Sequence, residues 1–270
     1  MSKPLTVIKY GIFLFIGAGI LSEFMTSETP PIANDGPQLA SLPASSQSEN
    51  SFAMHPLNNS WPPLSSDQQQ STQISEDLLA ANYYVVLDGS GSMRDVECSE
   101  GQPKMDVAKN ALTVFSQSLP ANVNLGLLAF DNGGVFERVP LGGNNGNLFA
   151  QAISQVMANR NTPLGSAIGE AYNKLEAQAR RQLGYGEYHL VIITDGKASP
   201  SEDPTPVVNQ ILDNAPVVFH TIGFCIGDDH SLNQPGRTYY QSANDPTALG
   251  KGLQDVLAEA PNFSVSEFTE

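Results

Sequence analysis

The sequence predicts an α/β fold: a doubly wound, mostly parallel sheet of the Rossmann-like kind, with one antiparallel edge strand and helices on both faces. The order of the segments and their uninterrupted apolar character predict this fold. Short apolar segments alternate with helical segments from about residue 82 to 259, and uninterrupted apolar strands are typical of parallel sheets covered on both faces. In addition, two of these strands run directly into an aspartate, at Asp88 and Asp195. Because ligands bind beyond the carboxyl ends of such strands, this edge is the predicted functional edge.

The individual elements follow from the spacing of apolar residues. Four predicted strands are continuous apolar runs, at residues 83–87, 124–130, 188–194 and 217–224. A further strand at residues 135–141 alternates in polarity after the Gly133-Gly134 turn, as an antiparallel edge strand does. The predicted helices carry apolar residues three and four positions apart and lie at residues 104–119, 147–157, 163–183, 204–214 and 246–259. We therefore expect one folded domain over residues 81–260, followed by a tail at 261–270.

The N-terminal segment has the pattern of an export signal. Lys3 and Lys9 precede an apolar run from Tyr10 to Leu21, which is shorter than the roughly 20 residues that span a bilayer. The cleavage signal is weak, so residues 1–25 are interpreted as either a signal peptide or an N-terminal membrane anchor. Either form predicts an exported protein, in the periplasm or anchored to the inner membrane and facing outward.

The segment between the signal and the domain has the composition of a linker. Residues 26–80 are rich in Ser, Gln, Asn and Pro without periodic apolar positions, which predicts a disordered tether. Trp61 lies in this segment, and we interpret it as an incidental aromatic residue rather than a docking motif.

The charge balance excludes one class of partner. The chain has 13 Lys and Arg against 28 Asp and Glu, a formal net charge of -15. Nucleic-acid binding draws most of its affinity from a basic surface, so this composition argues against it. Membrane contact is expected only through the N-terminal segment.

Three short motifs carry oxygen ligands. They are Asp88-Gly89-Ser90-Gly91-Ser92 after the first strand, Thr162 before a helix, and Asp195-Gly196 after another strand. Hydroxyl and carboxylate oxygens suit hard cations such as Mg²⁺, Mn²⁺ and Ca²⁺. The glycines of the first motif are expected to let its loop turn back so that both hydroxyls face one point. Taken singly, each motif also fits a turn or a helix cap.

Together, the three motifs resemble the metal-ion-dependent adhesion site (MIDAS) of the von Willebrand factor A domain family. The resemblance covers about residues 82–259 and includes all five coordinating positions, in the family's order and approximate spacing. It implies that Ser90 and Ser92 bind the ion directly. It implies that Asp88 acts mainly through bound water and hydrogen bonds to these serines. Thr162 and Asp195 would shift between direct and water-mediated contact.

The resemblance also implies a cofactor and a kind of partner. The expected cofactor is a divalent cation, Mg²⁺ first, with Mn²⁺ or Ca²⁺ also compatible with oxygen ligands. The expected partner is a protein that supplies an Asp or Glu carboxylate to the ion, as in cell adhesion. Asp228, Asp229 and His230 form a polar loop that we place at the rim of the site, where it would contact the partner.

The only two cysteines, Cys98 and Cys225, are both expected at the edge that bears the metal. In an oxidising compartment they could form a disulfide, which would be worth on the order of 4 kcal/mol in the chain-entropy model. His189 and His220 lie on apolar strands and are predicted to be core residues with internal hydrogen bonds.

The sequence lacks the motifs of the common enzyme classes with this fold. It contains no phosphate-binding P-loop, no complete dinucleotide fingerprint and no Gly-x-Ser-x-Gly nucleophile motif. We therefore predict a protein that is not an enzyme but an exported or membrane-tethered module for protein recognition. Two alternatives stay open: a subunit assisting an AAA+ ATPase or an assembly complex, and a structural domain whose metal only stabilises loops.

Overall fold

A computed structural model describes residues 61–63 and 73–258 of the chain. Its centre is a six-stranded sheet in the order β3-β2-β1-β4-β5-β6. The strands are β1 (Ala81–Asp88), β2 (Asn124–Asp131), β3 (Gly134–Gly143), β4 (Glu187–Thr194), β5 (Val217–Phe224) and β6 (Tyr239–Ala243). All neighbours pair in parallel except β2 and β3, which are antiparallel. The predicted fold class is confirmed, including the antiparallel edge strand.

Five helices cover the two faces of this sheet. They are α1 (Lys104–Ser118), α2 (Gly146–Ser154), α3 (Leu164–Arg181), α4 (Thr205–Asn214) and α5 (Pro246–Ala258). Side chains of α1, α2 and α5 pack with Tyr83, Val85 and Leu87 of β1 on one face. Side chains of α3 and α4 pack with Tyr84 and Val86 on the other face. Adjacent residues of β1 thus alternate between two cores, which explains why this strand has an uninterrupted apolar run from Tyr83 to Leu87.

Two elements were not predicted from the sequence. Strand β6 extends the sheet beyond β5, pairing Tyr239 with His220 and Ala243 with Phe224. Its sequence Tyr-Tyr-Gln-Ser-Ala is short and only one of its residues is buried, so it has no continuous apolar signal. A single 3-10 turn at Gly91–Arg94 follows β1. It is too short to produce any periodic pattern.

The two histidines of the sheet lie in the core, as predicted. His189 on β4 and His220 on β5 are each 3% exposed, and their rings meet with His189 Nδ1 3.2 Å from His220 Nε2. Tyr83 stacks on His189, and Tyr239 stacks on His220. Burial lowers the pKa of His189 to about 4 and that of His220 to about 3, the latter with a further contribution from His189. Both rings are therefore neutral at pH 7.

Trp61 packs against the folded domain, so its interpretation as an incidental aromatic residue is wrong. Its ring meets Tyr188 edge-on, with centroids 4.7 Å apart, and its Nε1 donates to Tyr172 Oη at 3.1 Å. Arg180 Nε donates to the Pro63 carbonyl at 3.5 Å. Tyr188 is the second residue of β4, so this contact lies at the sheet edge where the parallel strands begin. The apolar partners of Trp61 come from distant segments, which the sequence could not reveal.

The predicted export segment, residues 1–25, and the predicted tail, residues 261–270, lie outside the described residues, as does most of the predicted linker. Among the residues that the structure does describe, no helix combines the length and the apolar character needed to cross a membrane.

Candidate metal site

The two predicted aspartates come together because their strands are neighbours. Asp88 is the last residue of β1, Asp195 directly follows β4, and β1 and β4 pair in parallel. Parallel pairing puts both carboxyl ends at the same edge of the sheet. The side chains of Asp88 and Asp195 are both buried, so the site has a protein-covered floor rather than a solvated surface.

Asp88 is held by two hydrogen bonds. Its Oδ1 accepts from the Ser90 backbone N at 2.7 Å, and its Oδ2 accepts from Thr194 Oγ1 at 2.6 Å. Asp88 is fully buried, and this burial raises its pKa to about 6 even though hydrogen bonds from Thr194 and Ser90 oppose the rise. A buried carboxylate with a raised pKa gains from a nearby cation, which stabilises its charged form.

The two serine hydroxyls connect the first motif to Asp195. Ser90 Oγ lies 3.1 Å from Ser92 Oγ, and Ser92 Oγ donates to Asp195 Oδ1 at 2.7 Å. The first motif and Asp195 are separated by about a hundred residues in the chain, so the fold creates this cluster. Three of the five predicted ligands, Ser90, Ser92 and Asp195, form one chain of hydrogen-bonded oxygens.

Thr162 reaches the site only through its loop. The Gly91 N donates to the Arg160 carbonyl at 3.0 Å, and the Asn159 N donates to the Gly89 carbonyl at 2.7 Å. These bonds hold the segment before Thr162 against the first motif. No hydrogen bond among the described residues joins Thr162 Oγ1 to the other four predicted ligands. Nor does Thr162 cap α3, whose N-cap is Pro163, so helix capping does not account for it.

The two serine hydroxyls face each other, as predicted, but the glycines of the first motif do not act through a left-handed turn. Neither Gly89 nor Gly91 has a positive φ, so the loop turns without the left-handed conformation. What matters at Gly89 is close approach: a Cβ there would lie 2.5 Å from the Phe130 carbonyl oxygen and 2.9 Å from Asp131 Cβ. Gly89 also donates its N–H to that carbonyl at 2.8 Å. At Gly91 the nearest atoms to a Cβ are 3.5 Å away, which is ordinary contact.

A lysine that the sequence did not single out lies against the site. Lys104 at the start of α1 places its Nζ 3.0 Å from Asp195 Oδ2, and the two side chains are 5% and 0% exposed. Burial opposes the charge of this ammonium, but the hydrogen bond and attraction to Asp195 outweigh burial, so the pKa of Lys104 lies above its ordinary value. Lys104 and Thr194 are the two contacts of the site that sequence reasoning missed.

The loop predicted to form the rim meets the site at one residue. His230 Nε2 lies 3.1 Å from the carbonyl oxygen of Gly196, next to Asp195. Asp229 forms an exposed ion pair with Lys197 at 2.8 Å. Both Asp229 and His230 line an open cavity of about 500 Å³. The contacts of Asp228 with its loop are made by its backbone carbonyl, which accepts from Asn233.

The cysteines are also brought together. Cys98 and Cys225 carry free thiols, and Cys98 is close enough to affect the pKa of Cys225. The Cys225 thiol also donates to the Glu97 carbonyl at 3.0 Å. Burial, followed by the contact with Cys98, raises the pKa of Cys225 to about 12. The pair lies beside Lys104, at the predicted edge, and its oxidation to a disulfide stays a prediction.

The residues present fit a hard divalent cation. Within residues 61–63 and 73–258, no three His, Cys, Asp or Glu side chains cluster as a metal site, so a metal bound here would depend on hydroxyl donors. Ser90 and Ser92 supply two such donors beside two buried carboxylates. Neutral oxygens with few anions suit Mg²⁺, Mn²⁺ or Ca²⁺ rather than metals that prefer thiolate or imidazole.

The chain is similar to one known protein in sequence and to others in fold. YwmD of Bacillus subtilis (strain 168), described as an uncharacterized protein, is 27% identical over 160 residues, which cover 53% of this chain and 67% of YwmD. The pilus adhesin SpaC from Lactobacillus rhamnosus GG superposes with a TM-score of 0.54 at 15% identity, covering 69% of this chain and 31% of the adhesin. The chain thus spans about a third of that protein.

A second structural neighbour was solved with a metal. Proximal thread matrix protein 1 from the mussel byssus, with a zinc-occupied MIDAS motif, superposes with a TM-score of 0.54 at 16% identity. The superposition covers 68% of this chain and 48% of that one. At such identities these neighbours show the fold alone. A sequence-family model gives the membership: the model of the von Willebrand factor type A domain matches residues 82–264. The chain belongs to the von Willebrand factor type A domain family.

Proposed function

We propose that this domain is a metal-dependent protein-recognition module with a complete MIDAS. The observation that carries the proposal is the hydrogen-bonded chain Ser90–Ser92–Asp195 beside buried Asp88. Ser90, Ser92 and Thr162 would supply hydroxyl oxygens, and Asp88 and Asp195 would supply carboxylates. The zinc at the MIDAS of the mussel protein supports a divalent cation at this position. Mg²⁺ is the proposed physiological ion.

The donor set explains why such an ion would capture a partner. Neutral hydroxyls reduce the charge of a bound ion less than carboxylates do, so the ion keeps a strong attraction for one more anionic ligand. An Asp or Glu side chain of a partner protein can supply that ligand. The bound ion therefore serves as the contact between two proteins, and Asp229 and His230 at the rim would meet the partner around it.

The proposed role is recognition rather than catalysis. A metal hydrolase needs an ion that strongly activates a bound water, whereas the hydroxyl donors here suit anion capture. We further propose export to the periplasm or to the outward face of the inner membrane, in line with the pilus adhesin among the structural neighbours and the signal pattern of residues 1–25. The competing hypothesis is that the metal only stabilises loops. In that case, partner binding should survive chelation of the ion.

Removing the two serine hydroxyls should abolish the stabilisation of the protein by metal. In the full chain, a divalent ion that binds only the folded state raises stability by about 2.7 kcal/mol at a hundredfold excess over its dissociation constant. Ser90→Ala with Ser92→Ala removes both hydroxyls, so this gain should vanish. The measurement is the thermal unfolding midpoint with Mg²⁺, Mn²⁺, Ca²⁺ or chelator.

The matched control is Ser118→Ala with Ser154→Ala. These serines end α1 and α2, are exposed and donate only to backbone carbonyls of their own helices. The control should keep the full metal response. If the wild-type midpoint moves with none of the three ions, the site holds no metal and the proposed function fails.

Metal affinity should weaken below about pH 6. A metal-bound carboxylate is deprotonated, so protons compete with the ion once the pH falls below the pKa of the metal-free group. Burial raises the pKa of Asp88 to about 6, so the apparent Mn²⁺ affinity should fall about tenfold per pH unit below that value. An aspartate of ordinary pKa would show this loss only below about pH 4.

Calorimetric titration of the protein with Mn²⁺ from about pH 7.5 to 5 tests this dependence. Asp88→Asn keeps the shape of the side chain but has no carboxyl proton, so its weaker affinity should be flat across the range. An affinity in the wild type that stays constant down to pH 5 would show that Asp88 is already ionised in the metal-free protein.

A further inference from the structure

The buried ion pair between Lys104 and Asp195 is unusual for a site that attracts cations. Lys104 Nζ lies 3.0 Å from Asp195 Oδ2, and neither side chain is more than 5% exposed. The other oxygen of Asp195, Oδ1, accepts from Ser92 at 2.7 Å. Both carboxylate oxygens of Asp195 thus have partners within the protein, one of them a positive charge.

This lysine changes the charge that an arriving ion meets. Asp88 and Asp195 carry two formal negative charges, and Lys104 cancels one of them. A divalent ion then leaves the site with a net charge of plus one, whereas the same site without the lysine would be neutral. Because the groups are buried, the solvent screens this difference only weakly.

We propose that Lys104 is a specificity-determining residue that lowers the affinity of the site for the metal and raises the affinity of the metal-bound site for a carboxylate ligand. The inference rests on the proposed function, since it assigns Lys104 a role toward the same ion. Its ammonium repels the divalent ion and holds one oxygen of Asp195. Once the ion is bound, the same ammonium adds to the positive potential that an acidic partner meets. Lys104 therefore couples occupancy by the ion to acidic ligand binding.

The test compares Lys104→Met with wild type in the full chain, using Mn²⁺ alone and Mn²⁺ with acetate as a carboxylate probe. Removing the charge should tighten Mn²⁺ binding by at least about tenfold, given the size of charge interactions at short range in a buried site. Acetate that binds the metal-loaded site must tighten Mn²⁺ binding in turn, by thermodynamic reciprocity. This acetate effect should be present in the wild type and at least severalfold smaller in Lys104→Met. Free Mn²⁺–acetate complexation is subtracted with a protein-free titration.

Two further variants separate the charge from the packing. Lys109→Met removes a lysine from the same helix that donates to the Ser154 carbonyl instead of Asp195, so both quantities should stay at wild-type values. Lys104→Arg keeps the positive charge, so its Mn²⁺ affinity and its acetate effect should be close to those of the wild type. If Lys104→Met is less stable than the wild type without metal, its unfolding midpoint should rise more with Mn²⁺ than that of the wild type, because the ion replaces the missing countercharge of Asp195.

The outcomes distinguish the inference from the proposed function. No Mn²⁺ binding by the wild type removes the proposed function, and the inference with it. Mn²⁺ binding by the wild type with equal or weaker binding by Lys104→Met overturns the inference alone and leaves the metal site intact. An acetate effect that is the same in both proteins overturns the ligand half of the inference.

Discussion

Acidification from about pH 7.5 to about pH 5 should destabilise the domain by roughly 4 kcal/mol through two buried histidines, about 2 kcal/mol for each. His189 and His220 have folded-state pKa values of about 4 and about 3, against 6.5 in the unfolded chain. Their contribution to stability is therefore complete above pH 6.5. It is lost as the pH falls from 6.5 toward the folded values, because the unfolded state takes up protons that the folded state excludes.

The packing explains why these rings resist protonation. They contact each other within the sheet, so charging both would place two positive charges 3.2 Å apart at their nearest nitrogens. Tyr83 and Tyr239 enclose them with aromatic faces. Glu187 lies 3.7 Å from His189 and would favour its charged form, but burial dominates the pKa of His189.

Urea unfolding across this pH range, at saturating metal, measures the effect. His189→Gln and His220→Gln each remove one titrating ring, so each should reduce the pH-dependent loss by about half. Asp88 also titrates within this pH range. Because it is present in the wild type and in both variants, its contribution cancels when the three proteins are compared. If the free energy of unfolding falls equally with pH in the wild type and both variants, the two histidines do not cause the loss of stability in acid.

Gly89→Ala should destabilise the protein by about 1–3 kcal/mol and abolish its response to metal. The added Cβ would lie 2.5 Å from the Phe130 carbonyl oxygen, and this contact is with the backbone near the end of β2 rather than with a flexible side chain. The loop must therefore move away from β2. That movement displaces Ser90, the next residue, from its position beside Ser92.

Gly91→Ala is the control for this substitution, since its Cβ has no neighbour closer than 3.5 Å. It should unfold within about 0.5 kcal/mol of the wild type and keep the metal response. Thermal unfolding of both variants, with and without Mn²⁺, decides the question. Equal behaviour of the two variants would mean that the loop is not constrained by the Phe130 carbonyl.

Local pattern predicted most of the fold. Continuous apolar runs predicted β1, β2, β4 and β5 because those strands are buried on both faces. Apolar residues spaced three and four positions apart predicted all five helices. Strand β6 was missed because an edge strand of five residues that are mostly half-buried leaves no such run. The two aspartates could be placed at one edge because parallel strands end together.

The rest of the site depends on contacts between distant segments. Lys104 and Asp195 are 91 residues apart in the chain, and no local pattern distinguishes Lys104 from a solvated lysine at a helix start. Thr194 reads as the last residue of an apolar strand, and only the pairing of β1 with β4 shows that its hydroxyl holds Asp88. Gly89 was correctly expected to be important for the loop. The reason is the close approach of a backbone carbonyl, which can be recognised only once the position of β2 is known.

The packing of Trp61 has a mechanical consequence. Its ring lies beside Tyr188 near the start of β4, whereas Asp195 follows the end of the same strand, roughly 20 Å away at the rise of a parallel strand. Tension between the chain before Trp61 and a partner held at Ser90 and Ser92 would run lengthwise along the strands. Such a load shears the hydrogen bonds on both sides of β1 together instead of opening them one after another. Under the proposed function, the domain would therefore be loaded in the direction in which its sheet best resists being pulled apart.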